Sequence, residues 1–114
     1  MKEVIEFASN LGSAIANHER YKAFRETEEQ LKKDGEAKEL SDALEKQTKK
    51  IQELEKDQKP VEVEDKRKLR QLREKLAANQ SIQKFLKAQT DYVELMTKVN
   101  EQIEAALKPE TNEM

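Results

Sequence analysis

Cysteine and tryptophan are absent from the 114-residue chain, histidine occurs once, and glycine and proline occur twice each. Without cysteine there is no disulfide, no thiolate-held zinc and no cysteine-ligated iron–sulfur cluster. The lone histidine, His18, leaves no second imidazole for a metal pair and no partner for a nucleophilic triad. So little glycine and proline argues against architectures of many short strands, which need frequent turns. No apolar run approaches the roughly 20 residues that span a bilayer. The opening Met-Lys-Glu-Val-Ile-Glu-Phe puts acids where a secretory signal needs its apolar stretch. These absences lead us to expect a soluble, cytoplasmic protein with no membrane contact.

Charge is what the chain has in quantity. Charged residues make up 40% of it, 22 basic against 24 acidic, for a net charge of −2. Leu, Ile, Val and Phe together number 24. That is close to the roughly 20% of large apolar residues below which highly charged chains stay unfolded. Near-zero net charge lets the charges pair locally, so a folded but lean protein is expected. A chain this small has a large surface for its volume and a modest core. Contact with a second copy would add buried apolar surface, and a homo-oligomer, most simply a dimer, is expected.

Strong helix formers dominate, and apolar spacing sets the helix limits. Val4, Ala8, Leu11 and Ile15 draw one stripe over 2–16, widened by Phe7 and Ala14. Asn17 is placed to close this helix and cap the next, over 18–33, where Tyr21, Phe24 and Leu31 share a face. Asp34 is an N-cap for a long third helix over 35–57. There Leu40, Leu44, Gln47, Ile51 and Leu54 step by four and three, a coiled-coil-like seam with one polar interruption. Pro60 breaks the chain and folds a fourth helix, 62–78, back onto the third. Its apolar line is Leu69, Leu72 and Leu76. Asn79 caps a long fifth helix running to about 107, the most apolar of all. The expected fold is all-α, an antiparallel bundle of about five helices with long third and fifth members. It forms a single domain over 1–108, and 109–114 make a flexible polar tail.

No catalytic, cofactor-binding or metal-binding constellation emerges from these residues, and the chain reads as a non-enzyme with no cofactor. His18 beside Asn17 reads as a surface residue at a helix start. Glu28, in line with Tyr21, Phe24 and Leu31, reads as an acid that sits at the seam's edge or pairs with a base. The acids include no Glu-x-x-His pattern of the kind that holds metals in carboxylate bundles. Two features point to contacts with macromolecules. Leu44, Ile51 and Leu54 on the third helix, with Tyr92, Met96, Val99 and Ile103 on the fifth, are candidates for a protein interface as well as for core. The basic run 66–75 supplies Lys66, Arg67, Arg70 and Arg73 as candidate nucleic-acid contacts. Flanking acids Glu62, Glu64, Asp65 and Glu74, with few aromatics for stacking, weigh against that use.

Two stretches carry a resemblance. One is Leu11…Ile15…Glu19-Arg20-Tyr21-Lys22-Ala23-Phe24…Leu31…Asp34-Gly35-Glu36-Ala37-Lys38-Glu39-Leu40. The other is Asn79-Gln80-Ser81-Ile82-Gln83-Lys84-Phe85-Leu86-Lys87-Ala88…Leu95-Met96…Val99-Asn100-Glu101-Gln102-Ile103. In this order the chain resembles the YlbF/YmcA/YheA family of small helical bacterial proteins, from about Phe7 to Leu107. Gly35 stands where that family often has proline. The resemblance implies a regulatory role through protein–protein complexes, in competence, biofilm formation and sporulation and linked to RNA processing. Some members bind iron–sulfur clusters through cysteines, a property this cysteine-free chain does not inherit.

Overall fold

A computed structural model describes residues 1–108, all but a few of them in five helices with no strand among them. The helices are α1 (Lys2–Ala16), α2 (Glu19–Lys33), α3 (Gly35–Lys56), α4 (Val63–Ala78) and α5 (Gln80–Leu107). The all-helical bundle expected from the sequence is therefore observed, with α3 and α5 the longest. The polar tail expected at 109–114 lies outside the described residues. The chain divides into two compact units, Thr27–Phe85 and Met1–Glu26 with the chain from Leu86 onward, and α2 and α5 contribute to both.

In the unit Thr27–Phe85, α3 and α4 pack as an antiparallel hairpin. Gln47, the polar interruption of the α3 seam, is 4% exposed. Its Nε2 donates to the carbonyl of Asp65 at 3.0 Å, so a buried amide that would otherwise cost stability is satisfied. Lys50, one turn on, reaches the Asp65 carboxylate at 2.9 Å. Leu40, Leu44, Ile51 and Leu54 of α3 and Leu69, Leu72 and Leu76 of α4 are half-buried. The hairpin bend begins with a Schellman motif. Gln58 takes a left-handed φ of 56°, Lys59 N–H donates to the Leu54 carbonyl at 2.8 Å, and Gln58 N–H donates to that of Glu55 at 3.1 Å. Asp34 Oδ1 caps α3 by accepting from Ala37 N–H at 3.0 Å, beside the buried Ala37. Asn79 Oδ1 caps α5 by accepting from Ile82 N–H at 3.0 Å.

In the other unit, aromatic rings tie α2 to α5. Phe24 stacks on Tyr92 with ring centroids 5.0 Å apart, and Tyr21 meets Tyr92 edge-on at 5.5 Å. Arg20 donates to the Asp91 carbonyl at 3.0 Å and pairs with Glu94 at 3.4 Å. The start of α2 departs from expectation. Asn17 keeps near-helical angles, φ −92° and ψ −3°, at the end of α1, and its side chain donates back to the Ser13 carbonyl. The cap falls to His18, whose Nδ1 accepts from Arg20 N–H at 3.0 Å.

Candidate interaction surfaces

Burial is thin throughout. The buried apolar residues are Ala37 and Ala88, and no large side chain among the described residues is fully enclosed. Helices that expose half their apolar stripe have not gained the full hydrophobic stabilisation the stripe offers.

Like α2 and α4, α1 has no buried residue, and for its length it carries the densest set of exposed large apolar side chains. Val4 is 67% exposed and Phe7 66%. Ile5 and Leu11 are exposed with them, as are Ile103 and Leu107 on the last turns of α5. Leu11 lines an open groove with Val99, Gln102, Ile103 and Ala106. That groove carries no charged side chain. Around it α1 is free of charge from Phe7 to Asn17.

The interface candidates read from the sequence fall into both units. Leu44, Ile51 and Leu54 are half-buried on α3 in one. Tyr92, Met96, Val99 and Ile103 belong to α5 in the other, the first three half-buried and Ile103 exposed. Tyr92 is engaged by Tyr21 and Phe24, whereas Val99 and Ile103 open onto the groove.

The candidate nucleic-acid contacts lie on the exposed side of α4. Lys66, Arg67 and Arg70 line a shallow depression with Val63, and Arg73 is exposed further along the helix. Arg67 is already paired with Glu64 at 3.4 Å, which lowers the unpaired positive charge near the helix start. Among the described residues no three acids, histidines or cysteines are grouped to hold a metal ion. Glu28 is half-buried on α2.

A family model described as "Control of competence regulator ComK, YlbF/YmcA" matches residues 4–108. The chain belongs to the YlbF/YmcA family. No curated protein and no solved structure matches it at a significant level. Membership of the YlbF/YmcA family makes its role regulatory and accords with action through protein partners. No helix of the described residues is long and apolar enough to cross a membrane.

Sequence reasoning did not single out Val4, Ile5, Phe7, Leu11 and Leu107 as surface. Periodicity identified the apolar side of α1 and did not say what covers it. The signal was present in the charge-free stretch 7–17, unusual where two residues in five are charged. Among the described residues nothing buries any side chain of that stretch.

Proposed function

We propose that this YlbF/YmcA-family chain is a non-enzymatic cytoplasmic regulator. It self-associates and holds other proteins through the faces of its helices, in the control of RNA processing or cell-fate decisions. The observation that supports this reading is the apolar surface of α1 and the end of α5, with Phe7 and Val4 about two-thirds exposed. Exposed apolar patches of this kind mark protein contacts, and helices recognise one another through such stripes. The test is capture of the tagged full chain from native cytosol, with identification of what co-purifies in stoichiometric amount. Specific proteins lost on washing with an excess of untagged chain support the reading. Recovery of nothing above background overturns the partner part of it.

A second reading, nucleic-acid binding through α4, is favoured by the convergence of Lys66, Arg67 and Arg70 on one depression. It predicts affinity for RNA or DNA that falls steeply with salt as counterions are released. Neutralising Lys66, Arg67, Arg70 and Arg73 together should abolish it. Absence of binding at low salt removes this reading and leaves the first untouched.

A further inference from the structure

Resting on the reading that the chain holds other proteins through the faces of its helices, we propose that the outward face of α4 docks an acidic amphipathic helix of a partner protein. The nucleic-acid reading uses the same face, and the order of its side chains favours a polypeptide over a phosphate backbone.

Three observations carry this. The first is register. Val63, Lys66, Arg67, Arg70 and Glu74 fall at i, i+3, i+4, i+7 and i+11, one face of a helix. All five are exposed, and the first four line one shallow depression. The half-buried Leu69, Leu72 and Leu76 take the opposite side of α4, where it packs on α3. This spacing is the one by which helices lie along one another and choose partners by charge.

The second is unspent charge. Residues 66–75 hold six bases against one acid, in a chain whose net charge is −2. Elsewhere lysines pair with acids one turn away on their own helix: Lys49 with Glu45, Lys87 with Asp91 and Lys98 with Glu94. On the α4 face Arg67 does so with Glu64. Among the described residues Lys66, Arg70 and Arg73 make no ion pair. Asp65, the nearest other acid, is held toward α3 by Lys50 at 2.9 Å. Like charges one turn apart repel, and carboxylates brought by a partner relieve that repulsion.

The third is how the strip ends. Val63 stands at one end, 73% exposed, and Glu74 stands at the other. On a partner helix an apolar side chain covers Val63, acids meet Lys66, Arg67 and Arg70, and a base meets Glu74. A phosphate backbone brings neither an apolar group nor a positive charge, so it leaves Val63 wet and is repelled by Glu74. The strip is also short, about 16 Å from Val63 to Glu74 at the rise of a helix. It offers no aromatic ring on which a base could stack.

The test uses the purified full chain and fluorescence anisotropy at low salt. The probes are two labelled helical peptides of about 16 residues, built from Ala, Leu, Glu and Lys. One presents Leu, Glu, Glu, Glu and Lys at the spacing of the α4 face. The other presents them in reverse order, so that parallel and antiparallel approaches are both served. Controls are a scrambled peptide of the same composition and a short single-stranded uridine RNA. One ordered peptide should bind saturably and about 10-fold or more tighter than either control. Lys66→Gln, Arg67→Gln and Arg70→Gln together should weaken it about 10-fold, the combined scale of three exposed ion pairs. Helix content by circular dichroism should not change, because the three side chains are exposed and glutamine is a good helix former. Arg70→Glu alone should weaken the ordered peptide, and a Lys in place of the peptide's facing Glu should restore it, a rescue no RNA can give.

Four results overturn the inference. They are no saturable binding of either ordered peptide up to about 1 mM, a scrambled peptide bound as tightly as the ordered one, and no rescue by the charge swap. The fourth is RNA bound more tightly than both ordered peptides, which gives the face to nucleic acid. Specific proteins captured equally by the wild-type chain and the triple variant sink this inference and spare the partner reading. Binding of an ordered peptide with an empty capture experiment does the reverse.

Discussion

Asn79 and Asp34 link two helix starts that are 45 residues apart in the chain. Asn79 Nδ2 donates to Asp34 Oδ2 at 3.3 Å, while Asn79 Oδ1 caps α5 and Asp34 Oδ1 caps α3. Each side chain thus satisfies an otherwise unpaired amide of the first turn and steadies the other. Asn79→Ala removes the α5 cap and the link together. The expected loss is on the order of 1–2 kcal/mol, read from the midpoint of chemical unfolding. Asn79→Asp keeps an acceptor for Ile82 N–H but sets two carboxylates side by side. It should fall between wild type and Asn79→Ala at pH 7 and approach wild type in high salt.

Gln58 holds a left-handed backbone, φ 56°, in the Schellman motif that ends α3. An L-residue with a full side chain costs about 1–2 kcal/mol there, and glycine avoids that cost. Gln58→Gly should therefore stabilise the chain by about 1 kcal/mol, after its greater freedom in the unfolded state is subtracted. A rise in the denaturation midpoint with unchanged slope is the expected signature, and a fall would show that the glutamine side chain makes a contact of its own.

Gly35 opens α3. Its φ is negative, and a Cβ built on it meets nothing within 4 Å. Asp34 before it is extended, φ −87° and ψ 98°, the region a residue preceding proline requires. The first helical position has no amide partner to lose. Gly35→Pro should raise stability by about 0.4–1 kcal/mol through a stiffer unfolded chain, seen as a higher melting temperature with the same helix content.

The parts of this fold legible in the sequence are those governed by local chemistry. Asp34 and Asn79 were readable as caps because a short polar side chain before an apolar run has few other uses. Gln47 was readable as the polar step in an otherwise apolar seam. Its partner was not, because the Asp65 carbonyl comes within reach only through the register of the α3–α4 hairpin. The left-handed bend at Gln58 left no trace, since the usual glycine is missing there. The cap of α2 was assigned to Asn17 and belongs to His18, because Asn17 remains near-helical and turns its side chain back to Ser13. The exposure of α1 was hidden for a different reason. Spacing reveals which side of a helix is apolar, and whether anything packs against that side depends on residues far away in the chain.

The ion pair between Lys50 and Asp65 gives this protein two pH limits. The ammonium of Lys50, by hydrogen bond and then by charge, holds the Asp65 carboxyl below its ordinary 3.8, and Asp65 in turn raises Lys50 above its ordinary 10.5. The amide of Ala37 does the most to lower Asp34 below 3.8. A carboxyl depressed in the folded state contributes stability that is fully present above its unfolded value. That contribution is lost as pH falls through the folded one. For Asp34 and Asp65 the loss therefore comes below about pH 4. A lysine raised in the folded state contributes stability below its unfolded value that is lost as pH climbs through the folded one. For Lys50 this means above about pH 10.5. The melting temperature should accordingly be flat through neutrality and fall at both ends. Asp65→Asn should erase the part of the alkaline fall due to Lys50 and shrink the acid one, leaving the share of Asp34. Lys50 is 59% exposed, so the pair is open to screening, and 1 M salt should reduce both limbs. An alkaline limb of unchanged size in Asp65→Asn would show that Lys50 draws its stabilisation from another acid.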